Sequence, residues 1–196
     1  AMPLSRATVL PAAIARFREQ GRTLPISVRD GPYDELLGGL RRGEIDFLIG
    51  ALREPAPIGD VEQRLLFHDS LVLVAGREHP LVGAARLTAG DLARYPWVVA
   101  REGTPARTQF DRLFAGGPAP ASIVESGSVM LMRELLATSD HLGCVSRLQA
   151  RGETDRGLMT VLPFEMAETS RPIGLTLRAG WVPTRAQRLF LGMLAT

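Results

Sequence analysis

The sequence predicts an α/β protein built as two lobes, and three observations carry that reading. Segments with apolar residues at helical spacing alternate with short apolar runs along the whole chain. Ile45-Asp46-Phe47-Leu48-Ile49-Gly50 is a short apolar run of the kind found in buried parallel strands. The alternation breaks once and resumes as a second series, with no low-complexity linker and no repeat of fixed period.

In the first series Leu10, Ile14 and Phe17 mark a helix capped by Thr8, with Pro11 tolerated in its first turn and Gly21 as its stop. Leu24 to Arg29 alternates as a strand. Gly31-Pro32 then turns the chain into a helix carrying Leu36, Leu37 and Leu40, which ends at Arg41-Arg42-Gly43. Helix, strand, helix and strand at this pitch imply parallel strands joined by crossovers. In the second series Val61 to Leu66 and Leu71 to Ala75 read as extended, and Arg77 to Leu81 as a loop. Thr88 caps a short helix, with Asp91 placed for a capping box. Trp97 to Val99 is a strand, and Thr104 opens a helix carrying Phe110, Leu113 and Phe114. Ile123 to Glu125 is a strand, Ser126 to Ser128 a capping turn, and Val129 to Ala137 a helix. Leu142 to Val145 and Ile173 to Leu177 are strands, and Pro183-Thr184 starts a final amphipathic helix with Leu189, Phe190 and Met193.

Composition narrows the function. With 45% hydrophobic and 22% charged residues, a chain of 196 residues has the balance of an ordinary soluble globular protein. No stretch could span a bilayer, and the first residues lack the pattern of a secretory signal, so a cytoplasmic location is expected. All 23 basic residues are Arg, with neither Lys nor Asn in the chain, as a GC-rich genome would produce. The net charge is only +2, and only Arg41-Arg42 are adjacent, so no basic stripe for nucleic acid is present. The single Cys144 excludes an internal disulfide and a Cys-based zinc site. No metal or cofactor is expected.

Catalysis finds little support. His68-Asp69-Ser70 holds the three residue types of a triad, but consecutive strand residues point to opposite faces. His79 precedes Pro80 in a loop and reads as a capping or surface residue. His141 and Cys144 could form a thiolate pair, yet Leu142, Gly143 and Val145 around them read as a strand entering the core. Gly38-Gly39 lacks the spacing of a phosphate loop. A binding pattern is stronger: Ser5 to Thr8, Gly31-Pro32, Gly103-Thr104 and Ser126-Gly127-Ser128 each begin a helix. Plain capping explains each one singly. Four of them, in two lobes, suit a cleft whose free N–H groups would hold carboxylates and other oxygen-rich groups.

Several segments together resemble the effector-binding domain of LysR-type transcriptional regulators. They are Leu10-Pro11 with Phe17, Leu40-Arg41-Arg42-Gly43-Glu44-Ile45-Asp46 and its strand, and Leu71 to Ala75 followed by His79-Pro80-Leu81. Tyr95-Pro96-Trp97, Val124-Glu125-Ser126, Arg171 to Leu175 and the Pro183-Thr184 helix complete the match. Pro96-Trp97 and the Arg171 to Arg178 run are similar to regulators of sugar and aromatic-acid catabolism, particularly the galactose-binding-protein regulator type.

The resemblance implies a type-2 periplasmic-binding-protein-like fold, two Rossmann-like lobes joined by two crossover strands. Lobe I would take residues 1–76 and 164–196, and lobe II residues 77–163. It further implies that a small organic acid or sugar binds between the lobes, at Ser5, Gly31, Ala51 to Arg53, Gly103-Thr104 and Ser126 to Ser128. Arg6, Arg53, Arg107 or Arg178 could pair with a carboxylate, and Trp97 or Trp181 could stack on a sugar or lie in the core. Family members associate side by side, here through the Thr8 to Gln20 helix and the Leu24 to Val28 strand, as a homodimer or homotetramer. Most of the family's first strand and its winged helix-turn-helix are not in the chain, so operator DNA would be reached only through that other domain. A periplasmic solute-binding protein shares the fold and is the alternative. An enzyme on a similar scaffold would need a convergent acid, base or nucleophile.

Overall fold

The computed structural model describes residues 9–57, 59–167 and 169–194. The chain divides into two compact units, one of residues 1–68 and 171–196 and the other of residues 69–170. The divisions therefore fall at 68/69 and 170/171, where the sequence suggested 76/77 and 163/164.

In the first unit α1 (Val9–Glu19) places Leu10, Ala13 and Phe17 on one buried stripe. The stripe packs against Phe190 and Leu194 of α7 (Arg185–Leu194) and against Ile49, Leu175 and Leu177 of the sheet. Phe17 meets Phe190 edge to face at 5.5 Å, a geometry that adds to the area buried. Gly21, at φ 71, ends the helical turn as expected, its N–H donating to the Arg18 carbonyl. The expected cap Thr8 lies outside the described residues. α2 (Tyr33–Arg41) buries Leu36, Leu37 and Leu40 against Leu48. The Arg178 guanidinium donates to the Leu40 and Ile45 carbonyls, a cation on the carbonyl end of that helix. α7 starts with a reciprocal cap, Thr184 N–H donating to the Gln187 side chain and Gln187 N–H to the Thr184 hydroxyl.

The sheet of this unit runs in the order β1 (Leu48–Ala51), β8 (Arg171–Arg178), β2 (Val61–Asp69). Two expectations are corrected here. β1 pairs with β8 antiparallel, because β8 is the returning end of the chain and not the product of a crossover helix. Leu24 to Arg29 is not a strand. Its alternation has no ladder partner among the described residues, Pro25 offers no N–H, and Leu24 and Val28 stand 51% and 43% exposed.

The second unit holds a five-stranded sheet in the order β5 (Ser122–Glu125), β4 (Pro96–Val99), β6 (Leu142–Ser146), β3 (Leu71–Ala75), β7 (Thr160–Val161). β4 is parallel to both β5 and β6, whereas β3 is antiparallel to β6 and β7. β3 is buried at every position. Leu71, Leu73 and Ala75 face one core with Trp97, Phe110 and Phe114, while Val72 and Val74 face another with Met132 and Leu136. Burial on both faces explains the unbroken apolar run. α3 (Ala89–Ala93) carries the complete Thr88–Asp91 capping box. α4 (Pro105–Leu113) and α5 (Val129–Thr138) follow β4 and β5.

One helix escapes the sequence reading: α6 (Arg147–Thr154), directly after β6. Its segment Arg-Leu-Gln-Ala-Arg-Gly-Glu-Thr has no apolar stripe, and only Gln149 and Ala150 are buried. Ser146 caps it, and the buried Asp69 carboxylate accepts from the Leu148 N–H at the same end.

A very tight backbone approach lies at Gly174, opposite Gly50, where an added Cβ would stand 2.1 Å from the Arg64 carbonyl oxygen. Gly174→Ala should destabilise the protein by about 3 kcal/mol, the upper range for overpacking. Urea denaturation measures this, and an unchanged midpoint would mean that β2 and β8 are farther apart than described.

Candidate functional site

The loops that follow β4 and β5 lie side by side because the strands before them are parallel neighbours, Val99 paired with Glu125. The Ser126 N–H extends the ladder by donating to the Val99 carbonyl. Both loops then open helices, so two helix N-termini stand at the carboxyl ends of adjacent strands, where open α/β sheets bind ligands.

Each loop is shaped by local chemistry. Gly103 takes φ +74, a left-handed turn that a side chain would strain. Thr104 then caps α4: its hydroxyl accepts from the Arg107 N–H at 3.2 Å and donates to the Arg101 carbonyl at 2.7 Å. Pro105 sits in the first turn with no N–H to satisfy. In the second loop the Ser126 hydroxyl accepts from Ser128 N–H, and Ser128 caps α5 by accepting from Leu131 N–H. The amides of Ala106, Val129 and Met130 lie in first turns, where no intrahelical acceptor exists. The two serine hydroxyls keep a proton to donate.

Arg107 ties the loops together. Its guanidinium pairs with Asp111 of its own helix at 2.8 Å and with Glu125 at the end of β5. Asp111 and then Glu125 raise the Arg107 pKa, and Arg107 in turn holds the Glu125 carboxyl below its usual range. Arg107, proposed from sequence as a carboxylate partner, is thus already engaged by two acids.

The first unit brings together a second set. Ala51 ends β1, and two residues on, Arg53 is held by the Gln63 side chain, which bonds both its N–H at 2.8 Å and its carbonyl at 3.0 Å. The Arg53 guanidinium lies 4.2 Å from the centre of the Tyr33 ring. Tyr33 is the first residue of α2, whose N-cap Pro32, next to Gly31, supplies no side-chain cap. The Tyr33 hydroxyl is buried with no hydrogen-bond partner among the described residues, and burial pushes the phenol pKa up against the pull of Arg53. Tyr33 is not among the residues the sequence points to: only its place at a helix start after Gly31-Pro32 is legible there, and its contact with Arg53 is tertiary.

Of the remaining candidates, those that are described have structural work. Ser5 and Arg6 lie outside the described residues. Trp97 is fully buried against Phe110 and Phe114 and donates its indole N–H to the Leu92 carbonyl, so it is core. Trp181 packs beneath Arg178, which is engaged with the end of α2. Asp69 and Ser70 serve the start of α6. Cys144 is buried and its thiol faces Met166. Among the described residues no cluster of His, Cys, Asp and Glu could hold a metal, and no helix is long and apolar enough to cross a membrane.

Comparison with known proteins gives this geometry a family. The model for the LysR substrate binding domain matches residues 1–196. The HTH-type transcriptional regulator GalR of Pseudomonas putida is 37% identical over 188 residues, covering 95% of this chain and 47% of that protein. The chain thus spans about half the length of that relative. The cofactor-binding domain of the Cbl transcriptional regulator superposes with a TM-score of 0.82 at 22% identity, covering 97% of this chain and 83% of that one. The effector-binding domain of QuiR in complex with shikimate gives a TM-score of 0.75 at 20% identity, covering 98% and 91%. The fold is therefore that of the type-2 periplasmic-binding-like effector domains, and the similarity to transcriptional regulators does not favour the solute-binding alternative. The chain belongs to the LysR substrate-binding domain family.

Proposed function

We propose that this chain is the sensing part of a LysR-type regulator and binds a small oxygen-rich organic molecule, an organic acid or a sugar. The observation that supports this most is the pair of helix starts at Gly103-Thr104 and Ser126 to Ser128, on adjacent parallel strands. Their unpartnered amides and serine hydroxyls suit the oxygens of such a ligand. In the first unit the proposed ligand groups are Gly31, Ala51 and Arg53, with the Tyr33 hydroxyl added. Arg53 has no ion pair among the described residues, so its charge is available to an anion. The QuiR domain bound to shikimate, a structural relative, is in keeping with a hydroxylated acid.

The mechanism proposed is linkage: a ligand that favours one conformation of the domain shifts the population towards it. In a longer regulator the shift would reach operator DNA through a separate DNA-binding part. Self-association is proposed through the exposed face of α1 and the Leu24 to Val28 segment, whose side chains Leu24 and Val28 stand out to solvent.

A thermal-shift screen of aliphatic hydroxy acids, aromatic acids and sugars should find compounds that raise the melting temperature. Calorimetry with the best acid should then show Arg53→Ala and Ser126→Ala each binding about tenfold more weakly, the loss of one hydrogen bond of ordinary strength. Equal affinity in both variants would overturn the site, and no response to any compound would overturn the ligand class. Tyr33→Phe should weaken binding while changing stability little, because the buried hydroxyl makes no hydrogen bond of normal geometry in the fold. Val28→Asp should lower the sedimentation coefficient of any dimer towards that of a monomer, and an unchanged coefficient would place self-association elsewhere.

A further inference from the structure

We propose that His79 is an acid-sensitive clasp that holds two turns of the second unit together, and that the unit loosens when the ring takes up a proton. His79 lies in the loop between β3 and α3 and is only 6% exposed. The Leu81 N–H donates to its Nδ1 at 3.1 Å, and its Nε2 faces the Asp140 carbonyl at 3.3 Å. A ring nitrogen that accepts from an amide carries no proton. The imidazole is therefore neutral, with its one proton on Nε2 and donated to Asp140.

Through these two bonds the ring joins its own loop to the turn between α5 and β6. The loop is fastened around it as well. His79 N–H donates to the Gly76 carbonyl, and Val82 N–H donates to the His79 carbonyl. Gly76 packs so closely on the end of α5 that an added Cβ would stand 2.1 Å from the Leu136 carbonyl oxygen. Leu81, Val82 and Tyr95 pack on the Trp97 core, and the Tyr95 ring lies 4.6 Å from the imidazole. The His79-Pro80-Leu81 segment, a mark of the family in the sequence, thus has a physical role of its own.

A second proton would turn Nδ1 from acceptor to donor and set it against the Leu81 N–H, leaving that amide unpaired. Asp140, across the turn, favours the proton through its carbonyl and its carboxylate, and the Tyr95 ring packs on the imidazole from the β4 side. Burial outweighs Asp140 and holds the His79 pKa below the ordinary histidine value. The sign follows from linkage. The unfolded chain binds this proton more readily than the folded one, so the stability the neutral ring confers is complete above about pH 6.5. It declines as the pH falls below that value. This inference is independent of the proposed ligand.

The test is an NMR titration of the histidine ring protons of the whole chain, with the ring nitrogens labelled. At neutral pH, His79 should show protonated Nε2 and bare Nδ1, and it should titrate below the ordinary histidine value. A proton on Nδ1 at neutral pH, or titration at or above that value, would overturn the clasp. Melting temperatures at pH 7.5 and 5.5 give the second arm. The wild type should lose a few degrees more on acidification than His79→Asn, whose amide oxygen can accept from Leu81 without titrating. Equal losses would also overturn it. Should the variant not fold, the wild-type titration decides.

Discussion

The parallel pairing of β4 with β5 is the constraint on which the candidate site of the second unit depends. Val99 and Glu125 sit opposite each other, and each strand passes within a few residues into a helix. Two helix N-termini are thereby brought to one end of one sheet, with their first amides unpaired by the geometry of the helix itself. The pairing is secured from beneath. Trp97 and Val99 are buried in one core, Val98 in the other, and Trp97 is fixed by its indole hydrogen bond as well as by Phe110 and Phe114. A strand buried on both faces cannot slip its register without inverting both cores.

Charge is then placed with economy. Arg107 spans from α4 to the end of β5 and is matched by two carboxylates, so it braces the loops. Arg178 closes the carbonyl end of α2, and Asp69 lies at the amide end of α6. Arg53 differs: its backbone is clamped by Gln63, and its guanidinium rests on an aromatic ring rather than a carboxylate. A cation positioned by its backbone and without an anion among the described residues is the arrangement expected of a recognition residue, and it is the reason an organic acid is proposed as well as a sugar.

Much of this was legible from sequence where a local rule governs. Thr88 with Asp91, Thr104 before Pro105, and Ser126 to Ser128 before an apolar helix are all short-range signals, and each cap forms as read. The reading failed where the outcome depends on distant partners. Leu24 to Arg29 alternates properly yet finds no strand to pair with, and β1 is antiparallel to a strand more than a hundred residues away. α6 has no apolar stripe because its place is set by Ser146 and Asp69 at its start. The Arg residues were the least legible of all. Arg107, Arg178 and Arg53 look alike in the sequence, and only their surroundings separate brace, helix cap and candidate ligand group.

The central claim is that ligand binds at the starts of α4 and α5. The most direct measurement is an amide chemical-shift map of the chain titrated with the best organic acid from a thermal screen. The account predicts that the amides of Thr104, Ala106, Ser126, Ser128, Val129 and Met130 move together with a single dissociation constant. Saturable binding that leaves all six unmoved would contradict it.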